Sequence, residues 1–419
     1  MVSSSKGQIG HTLAAAGAME AAISVMVVQH GRVPPTVGLG EIDDACAGVD
    51  HVTDGRQQDV AAAMSTSFGF GGSDTALLFS RPGAFENKSG FVRRRVFVTA
   101  AATLGAEGIC GAQDAELHVG GGDPESVAKR IEFKASDYLD LKRARRLDRP
   151  ARMVTAVVEH GLAQSGCPVS RLADAGAIVA AAYGSVDACA NYVQRFTDRG
   201  ARFASPAVFP NLLPSSPVAH ASVYLGLGGP VFASADVGAT AEGAMVAAVE
   251  LLEVGQGRII AAGGVEEASD IIDRALGPLC TGRVGRGPRS EGAAVLVFEA
   301  EVGDGDVMSR AIAEVVWSDA WRDRCDWLGL PAPVGRSGVF VATDVPALGT
   351  MLTGSGWAKV SRYSVSGRVG HHECAGGFAS AAAVSLLATG QLDMAFVIGL
   401  APVRQRALVL RACPHGAKP

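Results

Sequence analysis

The chain has 419 residues, a formal charge of −5, 19% charged residues and 48% hydrophobic residues. That balance excludes a basic nucleic-acid binder and a low-hydrophobicity disordered chain, and the length accommodates two or three ordinary domains or one large duplicated unit. With 53 Gly and only 6% aromatics, the apolar content lies in Ala and Val, which favours closely packed helices and strands. The cysteines are scattered without a C-x-x-C pair, and no charged-then-apolar leader opens the chain, so a cytoplasmic protein is expected. The longest apolar stretch, Leu13 to Val28, is broken by Gly17, Glu20 and Ser24, and no membrane span is predicted.

Residues 11–30, HTLAAAGAMEAAISVMVVQH, carry small residues at helical spacing and are followed by GRVPP, which predicts a buried helix ending near Gly31. STSFGFGGSDTALLFS, 65–80, places a glycine-rich turn between two apolar runs and predicts a hairpin. RPGAFENKSG, 81–90, breaks every periodicity, so a first segment over 1–82 and a linker over 83–92 are expected. From Arg95, RVFVTAAA predicts a buried strand that opens a new domain. LKRARRLDRPARM, 141–153, is basic and runs into an amphipathic helix through His160; a solvated helix face is the simpler reading, although an acidic carrier protein would want such a patch. Further on, Pro230–Ala235 predicts a strand, Thr240–Val254 a helix of small residues and Arg258–Ala262 a strand leading into GGVEE. This alternation argues for an α/β fold with well-covered sheets.

Gly10-His11 and Gly17 recur at Gly370-His371 and Gly377, a constant offset of 360, each time opening an Ala-rich helix. Common descent explains two such copies better than chance. Other features carry less. Cys189 lies in an alternating apolar run where buried thiols are common. His371, His372 and Glu373 point in different directions on a helix and have no further ligand, so no metal is expected. GLGGP, 226–230, precedes a strand where a phosphate loop must follow one. No cofactor is expected.

SSSKGQIGHTLAAAGAMEAAISVMVVQHGRVPPTVGL resembles the K-x-x-x-GH-x-x-x-AAG segment of β-ketoacyl-acyl carrier protein synthases, and STSFGFGGSD is similar to their C-terminal glycine-rich loop. These motifs cover residues 3–80 and correspond to the last part of such an enzyme. The remainder, from about Arg95 to Ala412, resembles a second, divergent ketosynthase unit, with halves over 93–285 and 286–413. The resemblance implies a thiolase-like fold, two similar βαβ-rich halves in a layered αβαβα arrangement. In that family a cysteine at a strand-to-helix elbow takes up the acyl chain, and two histidines, supported by a lysine, assist decarboxylation and condensation; a helix N-terminus stabilises the thiolate and imidazole N–H groups stabilise the enolate.

GPVFASADVGATAEGA, 229–244, is similar to the family's elbow, with Gly238 where the nucleophile belongs. VFVATDVPALG puts Ala342 or Thr343 at the first histidine. His371 is kept, but Ser366 stands where Lys6 stands in the first copy. The first segment keeps Lys6 and His11, together with Phe70 at the family's gating position, without an elbow of its own. This pattern resembles a chain length factor, the inactive partner of a ketosynthase in type II polyketide, aryl polyene or fatty acid assembly. The implied partners are an acyl carrier protein and a cysteine-bearing ketosynthase in a heterodimer, with a homodimer as the alternative; nucleic acid and membrane are not expected. The remnant over 3–80 fits an ancestral fusion of ketosynthase and factor. The competing readings are an altered enzyme, a decarboxylase using His371 or a hydrolase using Asp236, and a truncated ketosynthase.

Overall fold

The computed structural model describes residues 1–69, 74–85, 92–167, 169–276, 289–303, 306–321, 327, 329–401 and 404–414. The chain forms two units, one within residues 1–91 and one from Val92 onwards. The expected linker and Phe70 fall largely or wholly outside the described residues.

In the first unit, α1 (Lys6–Ile9) and a 3-10 turn precede α2 (Ala16–His30), followed by β1 (Arg32–Val33), β2 (Arg56–Gln57), β3 (Ala62–Phe68) and β4 (Asp74–Ser80). The long helix begins at Ala16 and not at His11, because Gly10 at φ +77° and Leu13 at φ +52° turn the chain out of helical geometry. It ends where expected: Gly31 adopts φ +68° and its N–H reaches the Val27 carbonyl at 2.8 Å. The expectation that this helix is buried is corrected. Only Ala16, Val27 and Val28 are buried along α2, while Val25 and Met26 are exposed. β3 and β4 form an antiparallel hairpin in which Met64 faces Leu78 and Phe68 faces Asp74; these two positions and their neighbours leave Met64, Phe68 and Leu78 exposed on one face.

The second unit opens with β5 (Val96–Gly105) and β6 (Gly108–Gly111), then α3 (Arg149–Gln164), β7 (Ala175–Ala180), α4 (Val186–Arg199), α5 (Ser216–Leu225) and β8 (Val231–Ser234). α6 (Thr240–Glu253), β9 (Ile259–Glu266), α7 (Asp270–Leu276) and β10 (Gly292–Ala300) follow. The later part holds β11 (Ala313–Trp321), β12 (Ser337–Val341), α8 (Pro346–Met351), β13 (Ser361–Ser364), α9 (Ser366–Val369), α10 (Ala375–Ala388), β14 (Met394–Gly399) and β15 (Gln405–Ala412).

One sheet of 11 strands runs β13-β12-β14-β15-β11-β5-β10-β9-β7-β8, with β6 hairpinned on β5. Numbered from its own first strand, each half reads 3-2-4-5-1. β7–β9 pairs in parallel and β9–β10–β5 antiparallel, just as β12–β14 pairs in parallel and β14–β15–β11 antiparallel. The halves join at their first strands, Val98 opposite Ala313 and Phe97 opposite Glu314. By strand order the first half therefore runs through Ala300.

Alternation along the strands divides the core into layers. Ala294, Leu296 and Phe298 of β10 face a central core with residues of α6 and α10, while Ala293, Val295 and Val297 face an outer core with α3. Likewise Ala395 and Val397 of β14 face the centre, and Met394, Phe396 and Ile398 face Leu348, Leu352 and Trp357 on the other outer side. Small residues make the central layer possible. A methyl group on Gly377 would lie 2.9 Å from the Ala294 Cβ and 3.1 Å from the Ala241 Cβ, so α10 packs at a separation that larger side chains forbid. Gly377→Val overpacks this contact, and its cost is expected at about 1–3 kcal/mol, read as a lower denaturation midpoint with unchanged slope.

Candidate functional site

β8 ends at Ser234 and α6 begins at Thr240, so the turn between them is a strand-to-helix elbow. Gly238 sits in that turn at φ +125°. A side chain there is blocked as well as strained: a Cβ on Gly238 would lie 2.8 Å from both the Ala401 Cα and the Leu400 carbonyl oxygen. The backbone that follows β14 thus fills the space a nucleophile would need. Asp236 is paired with Arg406 Nη2 at 3.2 Å, and its carbonyl accepts from the Thr240 hydroxyl at 2.8 Å.

Glu242, one turn along, is 1% exposed. Its carboxyl lies against Gly376 and Gly399, where a methyl group would come within 1.8 and 2.7 Å of Glu242 atoms, and its Oε2 has no hydrogen-bond partner. Burial pushes its pKa up to about 7, with the Asp236 charge adding to the rise. Because Glu242 belongs to the first turn of α6 and Gly376 to the first turn of α10, the two helix N-termini converge here.

His371 precedes α10 instead of beginning it. It is bridged to Arg289, its carbonyl accepts from the Ser290 N–H at 3.0 Å, and burial lowers the pKa of its ring. His372 is buried, with Nδ1 3.0 Å from Cys374 Sγ, and burial pulls its pKa down to about 3. The Cys374 thiol donates to the Gly292 carbonyl at 3.3 Å, and burial raises its pKa well above the ordinary value. Glu373 pairs with Arg289, which also reaches Glu266 at 3.5 Å. Among the described residues no group of three His, Cys, Asp or Glu side chains is placed to hold a metal ion. Cys189, on α4, donates to the Leu212 carbonyl at 3.3 Å, and burial raises its pKa, the opposite of what activates a thiol.

In the first unit Lys6 opens α1 and pairs with Glu20. His11 is exposed, and its Nδ1 accepts from the Leu13 N–H at 3.1 Å. The offset of 360 holds in three dimensions: α1 (Lys6–Ile9) ends at Gly10 with φ +77°, and α9 (Ser366–Val369) ends at Gly370 with φ +75°. Applied to Glu20, the offset falls on Ser380, which is buried with its hydroxyl donating to the Gly376 carbonyl. Lys6 and Glu20 are thus both replaced by serine in the second copy. The sequence reading passed over Glu20, although the repeat offset that exposed Ser366 also exposes Ser380. It missed Glu242, Arg406 and the Leu400–Ala401 backbone, for which no local signal exists.

Two family descriptions match the chain: the β-ketoacyl synthase C-terminal domain over residues 1–40 and the β-ketoacyl synthase N-terminal domain over residues 129–275. The 3-oxoacyl-[acyl-carrier-protein] synthase 1 of Escherichia coli (strain K12) is 36% identical over 80 residues, 19% of this chain and 20% of that protein. The oxytetracycline polyketide putative beta-ketoacyl synthase 1 of Streptomyces rimosus is 40% identical over 83 residues, 20% of this chain and 19% of that protein. The chain spans about a fifth of the length of these curated relatives. Among solved structures, a type II PKS ketosynthase in complex with its acyl-carrier protein matches with a TM-score of 0.63 at 15% identity, and the ishigamide ketosynthase/chain length factor with 0.62 at 14%; each match covers 76% of this chain and 99% of the other. A β-ketoacyl synthase from Burkholderia phymatum STM815 matches with 0.62 at 16% identity over the same shares. Residues 1–40 and 129–275 thus resemble the C-terminal and N-terminal domains of β-ketoacyl synthases. The second unit has the thiolase-like fold, and among the described residues no helix is long and apolar enough to cross a membrane.

The buried Glu242 makes stability depend on pH. Its folded pKa of about 7 lies above the ordinary 4.5, so its contribution is fully present below pH 4.5 and is lost as pH rises to 7. Glu242→Gln removes that loss. Relative to the unchanged chain, the variant is expected to gain about 2 kcal/mol between pH 5 and pH 8, measured by denaturant unfolding at both values.

Proposed function

We propose that the chain is a non-condensing, chain length factor-type subunit that works beside a cysteine-bearing β-ketoacyl-ACP synthase in type II polyketide, aryl polyene or fatty acid assembly. The observation that carries this reading is the elbow itself. Gly238 offers no thiol, and the Leu400–Ala401 backbone lies within 2.8 Å of where a Cβ would stand. Without the thiol there is no acyl-enzyme, the covalent intermediate that divides condensation into two easier steps.

The paired serines at 366 and 380 support a retained role over decay. Both positions are buried in the second unit, where a single remaining charge would cost several kcal/mol and two neutral groups do not. The altered-enzyme reading gains no support at Asp236, whose carboxylate is engaged by Arg406. The proposed partner surface is the free edge of β8, the last strand of the sheet, where Phe232 is exposed. α4 buries none of its residues and exposes Val193 and Phe196, and both features favour a covering protein. The proposed substrates arrive on an acyl carrier protein, as the names of the relatives say of those proteins. In the first unit, Lys6, Glu20, His11 and Phe70 are proposed as a ketosynthase half-site that requires an elbow from the cysteine-bearing partner.

Purified chain given carrier-bound acyl and malonyl groups is expected to form no β-ketoacyl product above the blank, whereas rapid condensation without a partner overturns the assignment. Gly238→Cys is expected to restore no activity and to lower stability by about 1–3 kcal/mol, the cost of a side chain in a strained backbone region. Co-expression with a cysteine-bearing ketosynthase should give a mixed dimer on size-exclusion chromatography; a homodimer that never exchanges rules out the heterodimer.

A further inference from the structure

The strand ends opposite the elbow surround a hollow of about 430 Å³. Residues 173–174 precede β7, 228–230 precede β8 and 255–258 precede β9, and Arg94 just before β5 and Val302 just after β10 complete the wall. Arg94 is the middle of three consecutive arginines. Arg93 pairs with Glu253 at 3.2 Å and Arg95 with Glu314 at 2.8 Å, whereas Arg94 has no carboxylate partner among the described residues. Backbone holds it instead. Its N–H donates to the Glu253 carbonyl at 3.0 Å, and its guanidinium lies over Gly255, where φ is +79° and a Cβ would stand 3.0 Å from Nη2 and 3.1 Å from Cζ. The one hydrogen bond of that guanidinium among the described residues is long, Nη1 to the Gly257 carbonyl at 3.5 Å, so most of its donors stay open.

Arg258 and Asp174 also line the hollow. Both are exposed, and among the described residues neither side chain is in an ion pair or a hydrogen bond. Two guanidinium groups and one carboxylate therefore share a single space without neutralising one another. The Gly228 and Gly257 N–H groups, on the same wall, have no partner among the described residues. An apolar side faces the ligand space as well: the exposed Val302 and the Pro230 ring, which lies 3.4 Å from where a Gly257 Cβ would stand.

We propose that this hollow binds a free α-amino acid with an apolar side chain. Arg94 and Arg258 take the carboxylate, whose two oxygens match a guanidinium fork, and the open glycine N–H groups add donors. Asp174 takes the ammonium group, and the side chain sheds water against Pro230 and Val302. The signs of the charges select this class: an anion alone leaves Asp174 facing a like charge, and an amine alone faces two arginines, whereas a zwitterion satisfies all three groups. The volume suits a small molecule, with a few converging polar groups and one apolar side. The site lies at the other end of the strands from the elbow, and its test needs no condensation activity.

Calorimetric titration of the full chain with L-leucine, 4-methylpentanoate, which lacks the ammonium group, and L-leucinamide, which lacks the carboxylate, decides the matter. Leucine is expected to bind saturably and about tenfold more tightly than either analogue, the worth of one charge-assisted hydrogen bond. Glycine, without the apolar side chain, should also bind about tenfold more weakly than leucine. Asp174→Asn is expected to bring leucine down to the level of 4-methylpentanoate while leaving 4-methylpentanoate itself unweakened. Arg258→Gln should weaken leucine and 4-methylpentanoate alike by about tenfold and leave leucinamide untouched. Both variants alter exposed side chains, so an unchanged melting temperature verifies that the fold is kept. Absence of saturable leucine binding overturns the proposal. So does 4-methylpentanoate binding as tightly as leucine, or an Asp174→Asn variant that affects both ligands equally, since either result means general attraction of anions.

Discussion

The close approach of α6 and α10 is the constraint on which the second unit depends. Both helices lie between the two halves of the sheet and contribute to one central core. Gly377 lies against Ala241 and Ala294, and Gly376 and Gly399 leave room for the carboxyl of Glu242. A side chain on any of these glycines would push apart helices, strands or both, because interiors are packed at crystal density and shift little. The same closeness brings the two helix N-termini together, which is where a two-half fold of this kind can build a site.

At that place the chain forms a strand-to-helix elbow with no side chain at Gly238. The elbow is formed, but its apex is a glycine under the Leu400–Ala401 backbone. The carboxylate nearest the apex in sequence, Asp236, is spent on Arg406, and Glu242 is sealed from solvent. The thiol of Cys374, at the start of α10, is buried with its pKa raised. What remains is a polar interior arranged for packing, with a burden of unionised or unpartnered carboxyl that the fold carries because the surrounding contacts are extensive.

α2 and α10 show how far cover, and not composition, decides the state of a helix. Both are apolar nearly all round and share a repeat offset. α10 buries 13 of its 14 residues, and α2 buries three of 15. In the second unit β12 and β11 flank the β14–β15 pair, whereas β3 and β4 pair only with each other among the described residues. Identical local propensity therefore yields a core helix in one unit and a half-exposed one in the other.

Much of this was legible in residues alone. The glycine-rich and alanine-rich runs located α6, α10, β8 and the β3–β4 hairpin, and the offset of 360 announced a repeat that survives as two short helices ending in left-handed glycines. The family resemblance followed from those motifs, and Gly238 could be placed at an elbow because a strand and a helix of small residues flank it. Tertiary structure alone decided that the space beside Gly238 is filled, since Leu400 and Ala401 lie more than 160 positions away in sequence and approach only through the β14–β15 connection. It also decided the burial of Glu242. Charge and burial at a site are sums over neighbours brought in from distant strands, and no local pattern encodes them.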